Sequence, residues 1–196
     1  QQAQMCDWNG IEQDRGKISR LGITEGYIDP FGILSLEDAP ERHRIRSEIY
    51  ASNKYANIDS PVEKQRFPET KRLRVGYFSA NFHKHPVAYL IAKVIEIHNR
   101  DRFEVYGYSV GATKEDEVRR RLAKGFDFFK DVRNMNDKNI ASLARQDKID
   151  IAVDLSGYTE YSDPGIFAYR AAPIQISYLG YPGTMGANFI DYIIAG

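Results

Sequence analysis

Leu73-Arg74-Val75-Gly76-Tyr77-Phe78-Ser79 reads as a strand, Val87–His98 as a helix that starts after Pro86, and Phe103–Val110 as a second strand. Strand, helix and strand again in about forty residues is the signature of a parallel sheet, because parallel neighbours need a crossover connection. The rhythm continues toward the C-terminus. Glu115–Lys124 reads as a helix, Phe128–Val132 as a strand, Asp137–Gln146 as a helix capped by Asp137, and Asp150–Leu155 as a strand. Ser162-Asp163-Pro164 then opens a short helix with Pro at its first position, and Ile174–Leu179 and Tyr192–Ile194 are two further strands. Ile149–Leu155 is apolar except for Asp150 and Asp154, as expected of a strand buried on both faces. The expected fold class is α/β, a parallel Rossmann-like sheet with helices on both faces.

Upstream, residues 1–60 read as a helical entry segment. Ile11, Ile18 and Leu21 recur at roughly helical spacing, Gly22, Gly26 and Pro30 interrupt it, and Asp38-Ala39-Pro40 signals a helix over Glu41–Tyr55 with an acidic cap. Residues 61–72, with Pro61, Pro68 and many charges, read as a linker, so that 73–196 is the sheet domain.

Bulk composition narrows the classes. The 196 residues carry 42% hydrophobic and 28% charged side chains and a formal net charge of +0, so no global field favours nucleic acid or an anionic membrane. Cys6 is the one cysteine, which excludes an intramolecular disulfide and fits a reducing, cytoplasmic location. No apolar run spans a bilayer, and Gln1–Trp8 has no signal-peptide pattern. The chain lacks an initiator Met and stops at Asp191–Gly196 as an apolar run ends, so both ends are expected to lie inside a longer protein.

Ligands of open parallel sheets bind beyond the carboxyl ends of the strands. The exits there are Ala80–Pro86, Ser156–Thr159 and Gly180–Gly186, with Gly111–Thr113 and Arg133–Asn136 chemically plainer. The first holds His83 and His85 around Lys84; each imidazole can carry a proton or polarise a substrate oxygen, or merely cap the helix at Pro86. In an extended loop the two rings point to opposite sides. The glycines of the third exit let backbone approach a ligand, or serve only a tight turn. Asp154 reads as structural, and Arg119-Arg120-Arg121 as a solvated helix face, with Glu115/Arg119 and Glu117/Arg121 at stabilising spacing. Neither G-x-G-x-x-G after the first strand nor a P-loop is present, which argues against a dinucleotide dehydrogenase and an ordinary NTPase. The exit Ser79-Ala80-Asn81 lacks the clustered acids of a receiver domain.

Leu73–Ser79 with Asn81-Phe82 and His85-Pro86, Arg102–Tyr106, Ala172-Pro173-Ile174-Gln175, Leu179–Thr184 and Asp191–Ile194, preceded by Cys6-Asp7-Trp8, resemble the N-terminal half of the catalytic region of the O-GlcNAc transferase / SPINDLY family, in its bacterial tetratricopeptide-repeat form. The resemblance implies the first half of a two-domain glycosyltransferase fold. The implied reaction is inverting transfer of a sugar, GlcNAc from UDP-GlcNAc, to Ser or Thr hydroxyls of a protein acceptor. It implies His85 as a catalytic group and Leu179, Gly180 and Pro182 as sugar contacts. The nucleotide sugar is a substrate, and no cofactor or metal is implied. Tetratricopeptide repeats upstream and a C-terminal catalytic half downstream complete the family's enzymes, so this fragment alone is expected to be inactive. Asn81, Tyr89 and Phe31 replace an Asp and two His of O-GlcNAc transferases, which leaves protein O-fucosylation from GDP-fucose and a non-catalytic binding module as alternatives.

Overall fold

The computed structural model describes residues 5–24, 26–58, 72–112, 114–160, 162 and 164–195. The linker reading at 61–72 therefore lies outside the described residues except for Arg72, as do Thr113 and Asp163. The chain packs as two compact units. One comprises the residues up to Ala56 with Gly183–Ala187, the other Asn57–Pro182 with Asn188 onward.

In the first unit, helix α1 (Trp8–Ile18) starts at Asp7, whose carboxylate accepts the Gly10 N–H at 2.9 Å. Helix α2 (Pro40–Lys54) has Ala39 at its N-cap, with Pro40 in its first turn. The expected acidic cap is absent: Ala39 takes the cap position and has no side-chain acceptor. Arg46 explains what joins the two helices. Its buried guanidinium donates to the carbonyls of Ile18 and Leu21, both at 2.6 Å, and pairs with Glu37. Carbonyls at a helix end need such partners. Gly186 lies against α2 so closely that a Cβ there would sit 2.5 Å from the Glu48 nitrogen.

The second unit is a six-stranded, all-parallel sheet. Its strands are β1 (Leu73–Ser79), β2 (Phe103–Ser109), β3 (Phe128–Asp131), β4 (Ile151–Asp154), β5 (Ile174–Tyr178) and β6 (Tyr192–Ile194), in the order β3-β2-β1-β4-β5-β6. The connections carry helices α3 (Pro86–Ile97), α4 (Glu117–Gly125), α5 (Asp137–Gln146) and α6 (Gly165–Ala168). Strand alternation sorts the two faces. Val75, Tyr77, Val105, Val153 and Leu155 pack with Val87, Ala88, Ile91, Ala92 and Ile95 of α3 and Val118 and Leu122 of α4. On the other face Phe78 stacks on Tyr108 at 4.5 Å and meets Phe167 of α6 edge-on at 5.3 Å. The α/β reading therefore holds, with helices on both faces. Among the described residues no helix is long and apolar enough to cross a membrane.

An aspartate precedes each of β3, β4 and β6 and does the same work each time. Asp127, Asp150 and Asp191 donate their N–H to the carbonyls of Val105, Arg74 and Gln175, at 2.9, 2.9 and 2.8 Å. Their carboxylates accept the N–H of those same residues, at 2.7, 2.8 and 2.8 Å. Each closes the ladder at the amino edge, where a parallel strand would otherwise leave an open donor.

Two helix readings shift. The cap of α5 is Asn136, which accepts the Asn139 N–H at 2.9 Å, rather than Asp137. Helix α4 starts after Asp116, not at Glu115. Its arginines also differ from the solvated face expected. Arg119 is buried, donates to Ser109 Oγ at 2.9 Å and Asp131 at 3.2 Å, and lies over the Phe129 ring. The Glu115–Arg119 pair forms at 3.0 Å, but Arg121 turns to Glu96 and Glu117 to Lys84. Packing of α4 against α3 sets these partners, where helix spacing considers only one helix.

Candidate active site at the carboxyl edge of the sheet

The strand order reverses direction between β1 and β4, so the exits of those strands diverge and leave a crevice. A small cavity of about 10 Å³, room for one water molecule, lies there, lined by Phe78, Ser79, Val110, Asp154, Ser156 and the α6 pair Ile166 and Phe167. Sequence reading did not single out Ser156 beyond its loop. The signal available was its position directly beyond a buried strand that ends in an acid.

Asp154 organises the β4 exit. Its Oδ1 accepts the N–H of Ser156 at 2.9 Å and of Gly157 at 3.1 Å, which folds the chain back over the strand end. Thr159 Oγ1 closes the turn on the Ser156 carbonyl at 2.8 Å. Gly157 has φ +57° and faces Tyr181, whose Cγ would lie 2.8 Å from a Cβ on Gly157. Tyr158 and Tyr181 meet edge to face at 5.5 Å.

The β5 exit is built onto this turn. Leu179 adopts φ +69°, a left-handed conformation that costs a non-glycine residue about 1 kcal/mol. Leu179 packs against the core that includes Phe82, Val87 and Leu155. Gly180 follows with its backbone against the Leu155 carbonyl. Pro182 is exposed at the rim. Of the three expected sugar contacts, Leu179 and Gly180 are thus fastened to the β4 exit.

Behind this edge, Gln175 is fully buried and its amide satisfies three backbone groups. Oε1 accepts the Ala171 N–H at 2.8 Å, and Nε2 donates to Phe167 and Phe189 carbonyls at 2.8 and 2.6 Å. Arg170 ties the same region, donating to the carbonyls of Phe189 and Pro173 and to Asp191. The Ala-Pro-Ile-Gln and Asp-Tyr blocks of the sequence therefore hold the frame.

The β1 exit is bent. The His83 N–H donates to the Asn81 carbonyl at 2.8 Å, and Ser79 Oγ accepts the Asn81 N–H at 3.0 Å. The bend overturns the expectation that His83 and His85 face opposite ways: their rings meet edge to face at 6.0 Å. His85 is the N-cap of α3, and its Nδ1 accepts the Val87 N–H at 3.2 Å. Capping is thus one role of His85. It also dictates chemistry: a nitrogen that accepts cannot carry the proton, so the neutral ring holds it on Nε2 as a donor. Burial, and then the charge of Lys114, push the His85 imidazole below its ordinary range, which favours that neutral form. His83 is lowered as well, by burial first and then by Lys114 and His85.

The sequence matches glycosyl transferase family 41 over residues 52–196. It is 40% identical over 210 aligned residues, covering 97% of this chain and 18% of the relative, to the UDP-N-acetylglucosamine--peptide N-acetylglucosaminyltransferase of Caenorhabditis elegans. It is 44% identical over 124 residues, covering 63% of this chain and 13% of the relative, to the probable enzyme of that description named SEC in Arabidopsis thaliana. An O-GlcNAc transferase mutant from Thermobaculum terrenum shares its structure with a TM-score of 0.69 at 31% identity, covering 91% of this chain and 32% of the other. The chain spans less than a fifth of those curated relatives. With the family match over its sheet unit and the aligned fold together, the chain belongs to glycosyl transferase family 41.

Proposed function

We propose that this chain forms the first half of the catalytic region of an inverting glycosyltransferase that moves GlcNAc from UDP-GlcNAc to Ser or Thr hydroxyls of protein acceptors. The observation that carries the reading is family 41 membership over residues 52–196, the stretch that holds every strand exit of the sheet. The named relatives are described as acting on UDP-N-acetylglucosamine and peptide. A Ser hydroxyl is a weak nucleophile, so the enzyme must align it opposite the leaving diphosphate and stabilise developing charge. Leu179, Gly180 and Pro182 form the sugar-facing rim in this reading, on a loop whose backbone is fixed by Leu155 and Tyr181. His85 presents Nε2–H as a donor that orients the sugar or the acceptor oxygen.

The complete protein is tested by calorimetric titration with UDP-GlcNAc and GDP-fucose in parallel. Binding of UDP-GlcNAc alone supports the proposal. Binding of GDP-fucose alone replaces it with protein O-fucosylation, the reading favoured by Asn81 and Tyr89 beside the His85 cap. Binding of neither by a folded sample makes the protein a non-catalytic module.

A further inference from the structure

The proposed transfer leaves the Ser156 hydroxyl unused. The residue is 5% exposed, and its Oγ is buried with no hydrogen-bond partner among the described residues. Native proteins seldom leave a hydroxyl so, because it gives up its bonds to water and gains none in return. The backbone of Ser156 is accounted for: its N–H donates to Asp154 Oδ1, and its carbonyl accepts Thr159 Oγ1. The turn therefore fixes the residue and leaves only the side chain in need of a partner. Ser156 and Asp154, itself 3% exposed, both line the cavity of about 10 Å³ at the crevice between β1 and β4. The rest of its wall comes from apolar residues and from Ser79, whose Oγ accepts the Asn81 N–H. A space of this size admits one water molecule and no larger ligand.

We propose that this cavity is the binding site of one structural water, held between Ser156 Oγ and the Asp154 carboxylate. A carboxylate only accepts, while a hydroxyl both donates and accepts. The water gives a proton to Asp154 and accepts the Ser156 O–H, so both ends of the bridge are matched. Asp154 offers about four acceptor sites, and the two N–H groups of the turn share its Oδ1. The water adds a further donor to the same carboxylate. The consequence reaches the rim above. Ser156 Cα would lie 3.3 Å from a Cβ on Gly180, so the turn braced by the water is the floor under Leu179–Pro182. The site rests on burial and cavity size, and it stands whether or not the chain serves sugar transfer.

A high-resolution crystal structure of the complete protein is the first test. The expected result is density for one water within hydrogen-bond distance of both Ser156 Oγ and the Asp154 carboxylate. A dry cavity, or Ser156 Oγ bonded directly to a protein acceptor in place of a water, overturns the proposal. In solution, magnetic relaxation dispersion of water deuterons counts the long-lived internal waters of the complete protein. Ser156→Ala leaves the water only the carboxylate and should hold one water fewer than the parent. Thr159→Val removes the other hydroxyl of the same turn, which is not part of the cavity wall, and should keep the parent's count. An unchanged count in Ser156→Ala overturns the proposal. So does an equal loss in both variants, which would assign retention of the water to the intact turn and not to the Ser156 hydroxyl.

Discussion

Gly180 rests directly on the Leu155 carbonyl: a Cβ at position 180 would lie 3.0 Å from the carbonyl carbon and closer still to its oxygen. The clash is with backbone, so no rotamer relieves it. Gly180→Ala is expected to destabilise by about 1–3 kcal/mol, as overpacking does, and to displace the Leu179–Pro182 rim. Gly16 is the control. It lies inside α1 with nothing within 4 Å of its would-be Cβ, so Gly16→Ala stabilises by about 0.5–1 kcal/mol. Thermal unfolding of the two variants should move in opposite directions.

The tautomer of His85 separates two mechanisms. In the complete protein His85→Ala should lower kcat by about 10²–10³-fold if a donor aimed at the reacting oxygen is lost. His85→Gln carries an amide N–H close to where Nε2 stood and should recover activity to within about tenfold. Equal losses in both variants would instead assign proton abstraction to the ring. An unchanged kcat and KM in His85→Ala would remove it from the site.

Gln175 offers a sharper structural test. Leu has nearly its shape but neither donates nor accepts, so Gln175→Leu leaves the buried Ala171 N–H without its partner and takes one of two donors from each of the Phe167 and Phe189 carbonyls, which keep Arg170. A loss of about 1–3 kcal/mol is expected from the buried donor left unsatisfied. Denaturant midpoints that match the parent would mean that the β5 frame is held by other contacts.

Arg119 and Arg120 are adjacent and should behave differently. Arg119→Ala removes the buried donor to Ser109 Oγ and one partner of Asp131 and uncovers Phe129, at a cost of about 2–4 kcal/mol. Arg120 is exposed, and Arg120→Ala should stay within about 0.5 kcal/mol. Chemical denaturation of both variants checks this, and similar values would restore the solvated-face reading.

Stability should fall in mild acid. His83, His85 and His98 are each lowered from the ordinary value of 6.5, chiefly by burial. Below that value the unfolded chain takes up protons that the folded chain refuses, so stability is full above it. It declines as pH drops toward the folded values and levels off below them. His98 bonds the Tyr77 hydroxyl at 2.7 Å, and burial pushes that hydroxyl up to about 12. His98→Gln keeps a partner for Tyr77 without titrating, and should flatten part of the acid slope measured by urea unfolding at successive pH values.

Local pattern alone determined a good deal of this protein. Alternation of apolar strands and amphipathic helices specified the parallel sheet, and β1 and β6 were bounded correctly, because strand periodicity and turn residues are written in neighbouring positions. The strand exits with their His, Gly and Pro residues were legible too, since topology sends them to one edge. Partners distant in sequence were not. The bend that turns His83 toward His85, the guanidinium of Arg119 drawn inward to Asp131, and the cap passing from Asp137 to Asn136 depend on what packs alongside. The three aspartates that close the amino edge each look like an isolated acid until the neighbouring strand is in place. Only the tertiary structure decided which polar groups are buried, and burial is what obliges a side chain to find a partner.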